Sequence, residues 1–370
     1  MTKYKRLGDY IRPVDVRNRE LKVTNLLGLS IEKRFITSIA NTIGTDMSVY
    51  KIVKPTQFAY VPVTSRNGDK ITIALYKGVN EAIISQAYTI FEIKNKENLL
   101  PEYLMMWFRR PEFDRYARFH SHGSAREVFD WDELCNVQLP IPSIDRQREI
   151  VSEYETLSNR IRLNEQMIAN LEETAQALYR KMFVDGIDKE NLPEGWRWGK
   201  LKNVAFLKAG GDKPNEFSEK RTHIYNIPVY ANGIDNKGVF GYTIKPVINA
   251  KSITISARGT IGYCFLRKQP YVPIVRLIVV IPHDEISAQY LYYHLDALNL
   301  KGSGSVQSQL TVPDIEVKDI IIPPYKLMQE FNDKVEVIDI TMEIHEQENE
   351  KLTELQSLLL AKMGKENKEK

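Results

Sequence analysis

The sequence predicts an α+β protein built twice over: two globular α+β parts separated by two long antiparallel coiled-coil helices, arranged about a pseudo-two-fold axis. Three observations predict it. Sliding the 370-residue chain along itself by 181 positions lays 139–182 on 320–363 without a gap, with eleven identities that include Ile141/Ile322, Pro142/Pro323, Glu165/Glu346, Gln166/Gln347 and Met182/Met363. Each copy carries apolar residues in alternating steps of four and three, the mark of a helix-pairing seam. Before each copy lie short alternating runs followed by a helical stretch, so the halves share one order of elements. A solenoid needs three or more units to bury its core, so two long copies point to a pseudo-dyad instead.

The first globular part is assigned to 1–142. Its runs at 58–63, 71–76 and 88–93 alternate apolar and polar residues as strands do, and Ser65-Arg66-Asn67-Gly68-Asp69 is turn chemistry between two of them. A helix is expected at 101–113. Pro140 and Pro142 end the last strand and set the start of the first long helix, expected at 143–184. Its seam runs Ile150, Tyr154, Leu157, Ile161, Asn164, Ile168, Leu171, Ala175, Leu178, Met182.

A linker with Gly186, Pro193 and Gly195 is expected at 185–199, followed by the second globular part at 200–324. Strands are expected there at 228–230, 252–256, 261–266 and 274–281, and a helix at 288–298. The second long helix, expected at 325–363, repeats the seam as Phe331, Val335, Ile338, Met342, His345, Asn349, Leu352, Gln356, Leu359, Met363. Both seams turn polar near the middle, at Asn164 in one and at His345 and Asn349 in the other. A polar seam residue lowers stability but fixes register and partner. Antiparallel pairing avoids a long return path and would place the globular parts at opposite ends of a rigid spacer. His345 has no second ligand at i+4 and reads as a register residue rather than a metal ligand. A polar tail at 364–370 completes the chain.

Composition sets the class. Hydrophobic residues make up 43 % of the chain, ample for packed cores, and the two cysteines, Cys135 and Cys264, fall one per half with no metal-cluster spacing. No secretory h-region opens the chain and no apolar run is long enough to span a bilayer, so a cytoplasmic protein with no membrane partner is expected. Net charge is +3, but 328–370 is net −5 and 147–183 net −1, which leaves +9 for the remainder, mostly the globular parts. A polyanion would meet those parts rather than the helices, and nearly two-fold duplex DNA is the candidate.

Within the globular parts, polar loops beside glycine carry side chains that can read base edges: Arg bidentate to guanine, Asn or Gln to adenine. The candidates in the first half are Arg66, Asn67 and Lys70 in one loop and His122, Ser124 and Arg126 in another. In the second half they are Asn232, Arg258, Thr260, Gln307 and Gln309. Each loop alone is equally a good turn; their recurrence at corresponding places is the informative feature. No catalytic residue is assigned. Ile322-Pro323-Pro324-Tyr325 superficially matches an amino-methyltransferase motif but puts isoleucine where the target amine must be held. Pro313-Asp314 with Glu316 and Lys318 crowds into one segment the acids a nuclease takes from two strands. Asp69 with Glu92 and Lys94 has workable nuclease spacing without supporting context. No Walker loop and no Ser/His/Asp arrangement is present.

A globular part ending in VQLPIPSIDRQREIV or DIIIPPYKLMQEF, followed by a long helix ending in ALYRKMF or LLLAKMG, resembles the specificity subunit of type I restriction–modification systems over essentially the whole chain. The stretch Ser256-Ala257-Arg258-Gly259-Thr260-Ile261-Gly262 and the strand start Pro273-Ile274-Val275-Arg276 are similar to segments of its target recognition domains. The resemblance implies two target recognition domains that each read one half of a bipartite sequence in double-stranded DNA. It implies two methyltransferase subunits docked on the helices and two restriction subunits beyond them. S-adenosylmethionine would belong to the methyltransferase partners, with no cofactor or metal in this chain. Two other classes remain: a nuclease using Asp69, Glu92 and Lys94, which would nick DNA unaided, and a coiled-coil adaptor that binds only proteins, which would give no salt-dependent DNA shift.

Overall fold

The computed structural model describes residues 4–38, 44–65, 68, 70–123, 126–300 and 309–364. It divides into two compact units, one of Met1–Asn164 with Gln347–Lys370 and one of Glu165–Glu346.

The first unit contains β1 (Tyr4–Arg6), β2 (Ile11–Val14), β3 (Leu27–Leu29), β4 (Phe35–Thr37), β5 (Lys51–Val53), β6 (Phe58–Tyr60), β7 (Ile73–Leu75), β8 (Ala82–Ile84) and β9 (Thr89–Ile93). Helices α1 (Pro101–Phe108), α2 (Pro111–Phe119) and α3 (Trp131–Asn136) follow, then β10 (Gln138–Pro140) and the long α4 (Ile144–Phe183). Strands β2-β9-β6-β7 form an antiparallel sheet in that order. Its strands obey the period of two. Phe58, Tyr60, Phe91 and Ile93 enter the main core beside Leu104 and Phe108 of α1, while Ala59 and Ile90 face a smaller cluster with Val53 and Ile84.

The helix expected at 101–113 is two helices. Arg110 has ψ 137°, the extended conformation that a following proline imposes, and Pro111 then opens α2 at its first turn.

The second unit contains the remainder of α4, then β11 (Arg197–Lys200), α5 (Leu201–Val204), β12 (Ala205–Ala209), β13 (Ile227–Tyr230), β14 (Val239–Thr243), β15 (Ser252–Ile255), β16 (Cys264–Arg267), β17 (Val272–Pro273) and β18 (Ile278–Pro282). It continues with α6 (Ala288–Ala297), α7 (Val312–Glu316), β19 (Asp319–Ile322) and α8 (Tyr325–Met363). Its main sheet, β12-β18-β15-β16, repeats the order of the first. The outer pair repeats as well: β1 lies antiparallel to β10, and β11 to β19. Within the stretch expected as linker, Arg197 and Trp198 pair with Ile322 and Ile321.

The strand expected at 274–281 starts only at Ile278. Val275 and Arg276 both take left-handed backbone (φ 54° and 57°), which no strand accommodates. Likewise β16 begins three residues later than expected, after a turn with Gly259 and Gly262 at positive φ.

Within each unit the long helices pair antiparallel. In the first, Gln356 Nε2 donates to Ser158 Oγ at 2.7 Å, and Asn164 Nδ2 donates to Asn349 Oδ1 and Glu348 Oε2, both at 2.9 Å, so rising numbers on α4 meet falling numbers on α8. In the second, Tyr179 and Phe183 of α4 lie 6.2 and 5.2 Å, ring to ring, from Phe331 of α8. Every seam residue is buried or half-buried. Leu157 and Ile161 belong to the first unit with Asn164, Asn349 and Leu352, whereas Ile168, Leu171, Ile338, Met342 and His345 belong to the second.

The unit boundaries cut through the helices rather than between helix and globular part, and the packing shows why. The first core contains Ile150, Val151 and Tyr154 from α4 and Leu360 and Met363 from the far end of α8. The second contains Phe331 and Val335 from α8 and Ala175, Tyr179 and Phe183 from the far end of α4. Each globular part is closed by the first turns of its own helix and the last turns of the other.

The polar seam contact is deeply placed: Asn164 is 2 % exposed, and Arg160 adds a two-pronged ion pair to Glu348 at 2.8 and 3.0 Å. The repeat puts His345 and Ile168 where Asn164 and Asn349 stand, so the asparagine pair has no twin. Replacing Asn164 with alanine is expected to cost about 1–3 kcal/mol in urea unfolding, because Asn349 and Glu348 lose a donor in a buried seam. Ser158→Ala, at the margin, is expected to cost less than about 1 kcal/mol.

In the second unit, His294 of α6 is held between Asp319 O (3.2 Å from Nε2) and the Tyr179 hydroxyl (3.4 Å from Nδ1). A carbonyl only accepts, so Nε2 carries the proton and Nδ1 accepts from Tyr179. Burial disfavours the imidazolium and pushes the pKa down from 6.5 to about 4. The unfolded chain then binds more protons than the folded one between these values, so stability falls as pH drops from about 6.5 towards about 4. In denaturant titrations across that window, His294→Gln is expected to show a shallower pH dependence than the unsubstituted chain.

Candidate nucleic-acid interface

The candidate loops hang from the matching edges of the two sheets. In the first unit, the β6–β7 connection meets the α2–α3 connection. Thr64 N donates to Glu127 O at 3.0 Å, Val63 bridges Val128, and Phe129 N donates to Pro62 O at 2.8 Å. Arg118, from the end of α2, crosses between them: its guanidinium donates to Gly68 O at 2.6 Å and lies 3.8 Å from the Glu127 carboxylate. Beneath the loops, Asp114 accepts from Ile71 N at 3.1 Å and pairs with the buried Lys33 at 2.7 Å. Asp114 thus ties both the approach to β7, through Ile71, and the β3–β4 turn, through Lys33, to α2.

Of the first-half candidates, Lys70 reaches Glu32 at 3.2 Å in an exposed pair that contributes little to stability, so its charge is accessible to a phosphate at small cost. His122 is tied by two backbone hydrogen bonds to Val128 (3.1 and 2.9 Å), and its side chain is exposed, as is that of Arg126. Arg66, Asn67 and Ser124 lie outside the described residues.

The second unit repeats the arrangement with different chemistry. The β15–β16 connection meets the segment before α7: Leu310 N donates to Ala257 O at 2.8 Å, and the Arg258 guanidinium donates to Gln309 Oε1 at 3.2 and 2.9 Å. Two candidates far apart in sequence are thus brought together, on an exposed arginine. Asn232 does a different task. Its carbonyl accepts from Ala257 N at 2.7 Å and its amide donates to Val275 O at 2.7 Å, so both ends of the side chain hold backbone. Thr260 is half-buried, and its hydroxyl, like that of Ser256, is enclosed without a hydrogen-bond partner among the described residues. Gln307 lies outside the described residues.

The residue that sequence reasoning missed as a candidate is Arg276. It is exposed, left-handed, and set on the turn that Asn232 anchors through Val275. Left-handed backbone at a β-branched residue followed by an arginine is sparsely populated and persists where surroundings impose it. Nothing in the residue types alone announces that conformation.

The nuclease grouping does not assemble among the described residues. Glu92 accepts from Gln57 Nε2 (2.9 Å) and pairs with Arg12 (2.6 Å); these bonds hold its carboxyl below the usual range. Lys94 Nζ donates to the carbonyls of Gly8 and Asp9 at 2.9 and 3.2 Å. Both are structural ties around β9, and Asp69 lies outside the described residues.

Two stretches, 31–173 and 193–354, match the family model described as the type I restriction modification DNA specificity domain. The chain belongs to the type I restriction–modification specificity subunits. Its two matched stretches correspond to the two copies found by internal comparison. A type I specificity subunit of Mycoplasma pneumoniae is 29 % identical over 251 residues, a match that covers 66 % of either chain and so just under two thirds of that relative. The HindI type I specificity subunit of Haemophilus influenzae is 22 % identical over a match covering 85 % of this chain and 86 % of its own. The crystal structure of a type I system S subunit from M. genitalium shares the fold, with TM-score 0.60, 14 % identity and coverage of 97 % and 95 %. Among the described residues no helix is long and apolar enough to cross a membrane.

Arg258 and Asn232 differ in what they hold: Arg258 meets one side chain, whereas Asn232 holds backbone at both ends. Arg258→Ala is expected to weaken binding to one half-site by roughly 1–3 kcal/mol, with unfolding free energy changed by no more than about 0.5 kcal/mol. Asn232→Ala is expected to lower unfolding stability itself by about 1–3 kcal/mol, since Ala257 N and Val275 O lose their partner. Chemical denaturation and gel shift on the same preparations distinguish the two.

Proposed function

We propose that this chain is the DNA-reading subunit of a type I restriction–modification complex. Each unit reads one half of a bipartite duplex target through its paired loops, and the helices set the unread gap. The supporting observation is the recurrence of one loop pairing, β6–β7 with α2–α3 and β15–β16 with the segment before α7, at the same place in two sheets of identical strand order. Base contacts come from local loops, so each unit carries its own specificity. The basic excess away from the helices suits the phosphate backbone, while the helices supply the surface for two methyltransferase subunits, with two restriction subunits beyond. The chain itself performs no chemistry; S-adenosylmethionine and methyl transfer to adenine belong to the partners, in the cytoplasm.

In domain terms, 1–142 and 200–324 are the recognition parts, 143–184 and 325–363 the spacer, 185–199 the connection and 364–370 the tail. Exchanging 200–319 for the equivalent part of a relative, in cells supplying the methyltransferase, is expected to change one half of the methylated motif and leave the other intact. Methylome sequencing reads the result, and a swap that altered both halves would contradict the assignment.

The spacer has its own measurement. An α-helix rises about 1.5 Å per residue and B-DNA about 3.4 Å per base pair, so four residues inserted near Asn164 or Asn349 add about 6 Å. Such a stutter keeps the seam nearly in phase. Insertion variants that fold are expected to methylate the same half-sites with the gap lengthened by about one or two base pairs. Unchanged spacing would mean the helices are not the ruler.

A further inference from the structure

Three side chains with metal-ligating chemistry meet in the first unit where α2 hands over to α3. His120 caps the end of α2, His122 follows two residues later, and Glu133 sits in the first turn of α3; one ligand atom from each lies within 4.8 Å of the other two. Glu133 Oε2 is 3.1 Å from His120 Nδ1. The sequence alone does not announce the grouping, because the third ligand stands eleven residues beyond a His-x-His.

Backbone interactions fix all three positions before any side chain chooses a rotamer. His120 N donates to Tyr116 O at 3.0 Å, and the imidazole lies against the Tyr116 ring with centroids 4.2 Å apart. His122 is clamped to Val128 by its two backbone hydrogen bonds, and Glu133 N donates to the helix-capping Asp130 carboxylate at 2.9 Å. A preorganised pair of imidazoles with one carboxylate is a donor set for zinc, with the fourth tetrahedral position left to water. Bonds of about 2.0–2.2 Å place tetrahedral ligand atoms roughly 3.4 Å apart, within reach of the present spread by small side-chain rotations.

We infer that His120, His122 and Glu133 form a binding site for one divalent transition ion of the zinc type, which ties the end of α2 to the start of α3. A simple His120–Glu133 ion pair would leave the convergence of His122 without a role. The ion would clip the segment 121–132, which carries Arg126 and lies along the β6–β7 connection through Glu127 and Val128. At the offset of 181 the three positions fall on Lys301, Ser303 and Asp314, so neither histidine has a counterpart and the site is a property of one half only.

The test uses the full chain, stripped with chelator and titrated with Zn²⁺ by calorimetry and with Co²⁺ by visible absorption, in the absence of DNA, so its outcome is independent of the proposed DNA reading. Expected is one ion per chain, with His122→Ala and Glu133→Gln each weakening binding tenfold or more. His223→Ala, on an exposed loop of the other unit, should bind as the unsubstituted chain does. Zinc should raise the melting temperature of the unsubstituted chain and not that of His122→Ala; His122 is exposed, so that variant is expected to fold. Absence of saturable binding, or equal binding by His122→Ala, overturns the inference.

Discussion

Everything in this structure depends on two helices exchanging their ends. The first core needs Leu360 and Met363, and the second needs Ala175, Tyr179 and Phe183, each delivered by the helix that begins in the other copy of the repeat. Burying a large apolar side chain stabilises by about 1.5–3 kcal/mol, so each set contributes several kcal/mol to the core it closes. That is comparable with the whole net stability of a typical domain. The polar contact of Asn164 with Asn349 and Glu348 contributes little energy by comparison. Its effect is on choice: a shift of either helix along the other would strand these amides against apolar neighbours.

Each sheet then serves as a platform that carries different chemistry at its edge. Phe58, Phe91 and Phe108 interlock at 4.9 to 6.3 Å in the first core, and Tyr179, Phe183, Tyr290 and Phe331 at 4.8 to 6.2 Å in the second. The loops above share positions but not residues. An arginine bridges through Gly68 in one unit and through Gln309 in the other. Keeping the frame and changing the side chains is how one architecture can address two different sequences, since positioning and specificity reside in separate groups.

Much of the fold was legible because it rests on periodicity. The steps of four and three from Ile150 to Met182 and from Phe331 to Met363 mark the helices without any knowledge of the partner surface. Where local rules compete, the reading was less sharp: the apolar run through 101–113 conceals the break that Pro111 imposes, and the β-branched run from Ile274 conceals two left-handed residues. The site was legible as loops but not as roles. Asn232 has the composition of a base reader and the geometry of a brace, because its partners at Ala257 and Val275 are 25 and 43 residues away. No local pattern encodes such distances. His120, His122 and Glu133 were hidden for the same reason.

The exchange of helix ends also orders events in time. A chain made from its N-terminus exposes residues 4–140 early, yet the core they form is finished by Leu360 and Met363, which are made only after the whole of the second unit. The second unit, Glu165–Glu346, is contiguous and can close before Leu360 and Met363 are made. The unit begun before the other is therefore completed after it, and until then it carries an open apolar seat for Leu360 and Met363. Such a chain favours waiting over early commitment, and a truncation of only the final turn of α8 would be felt most strongly at the opposite end of the sequence.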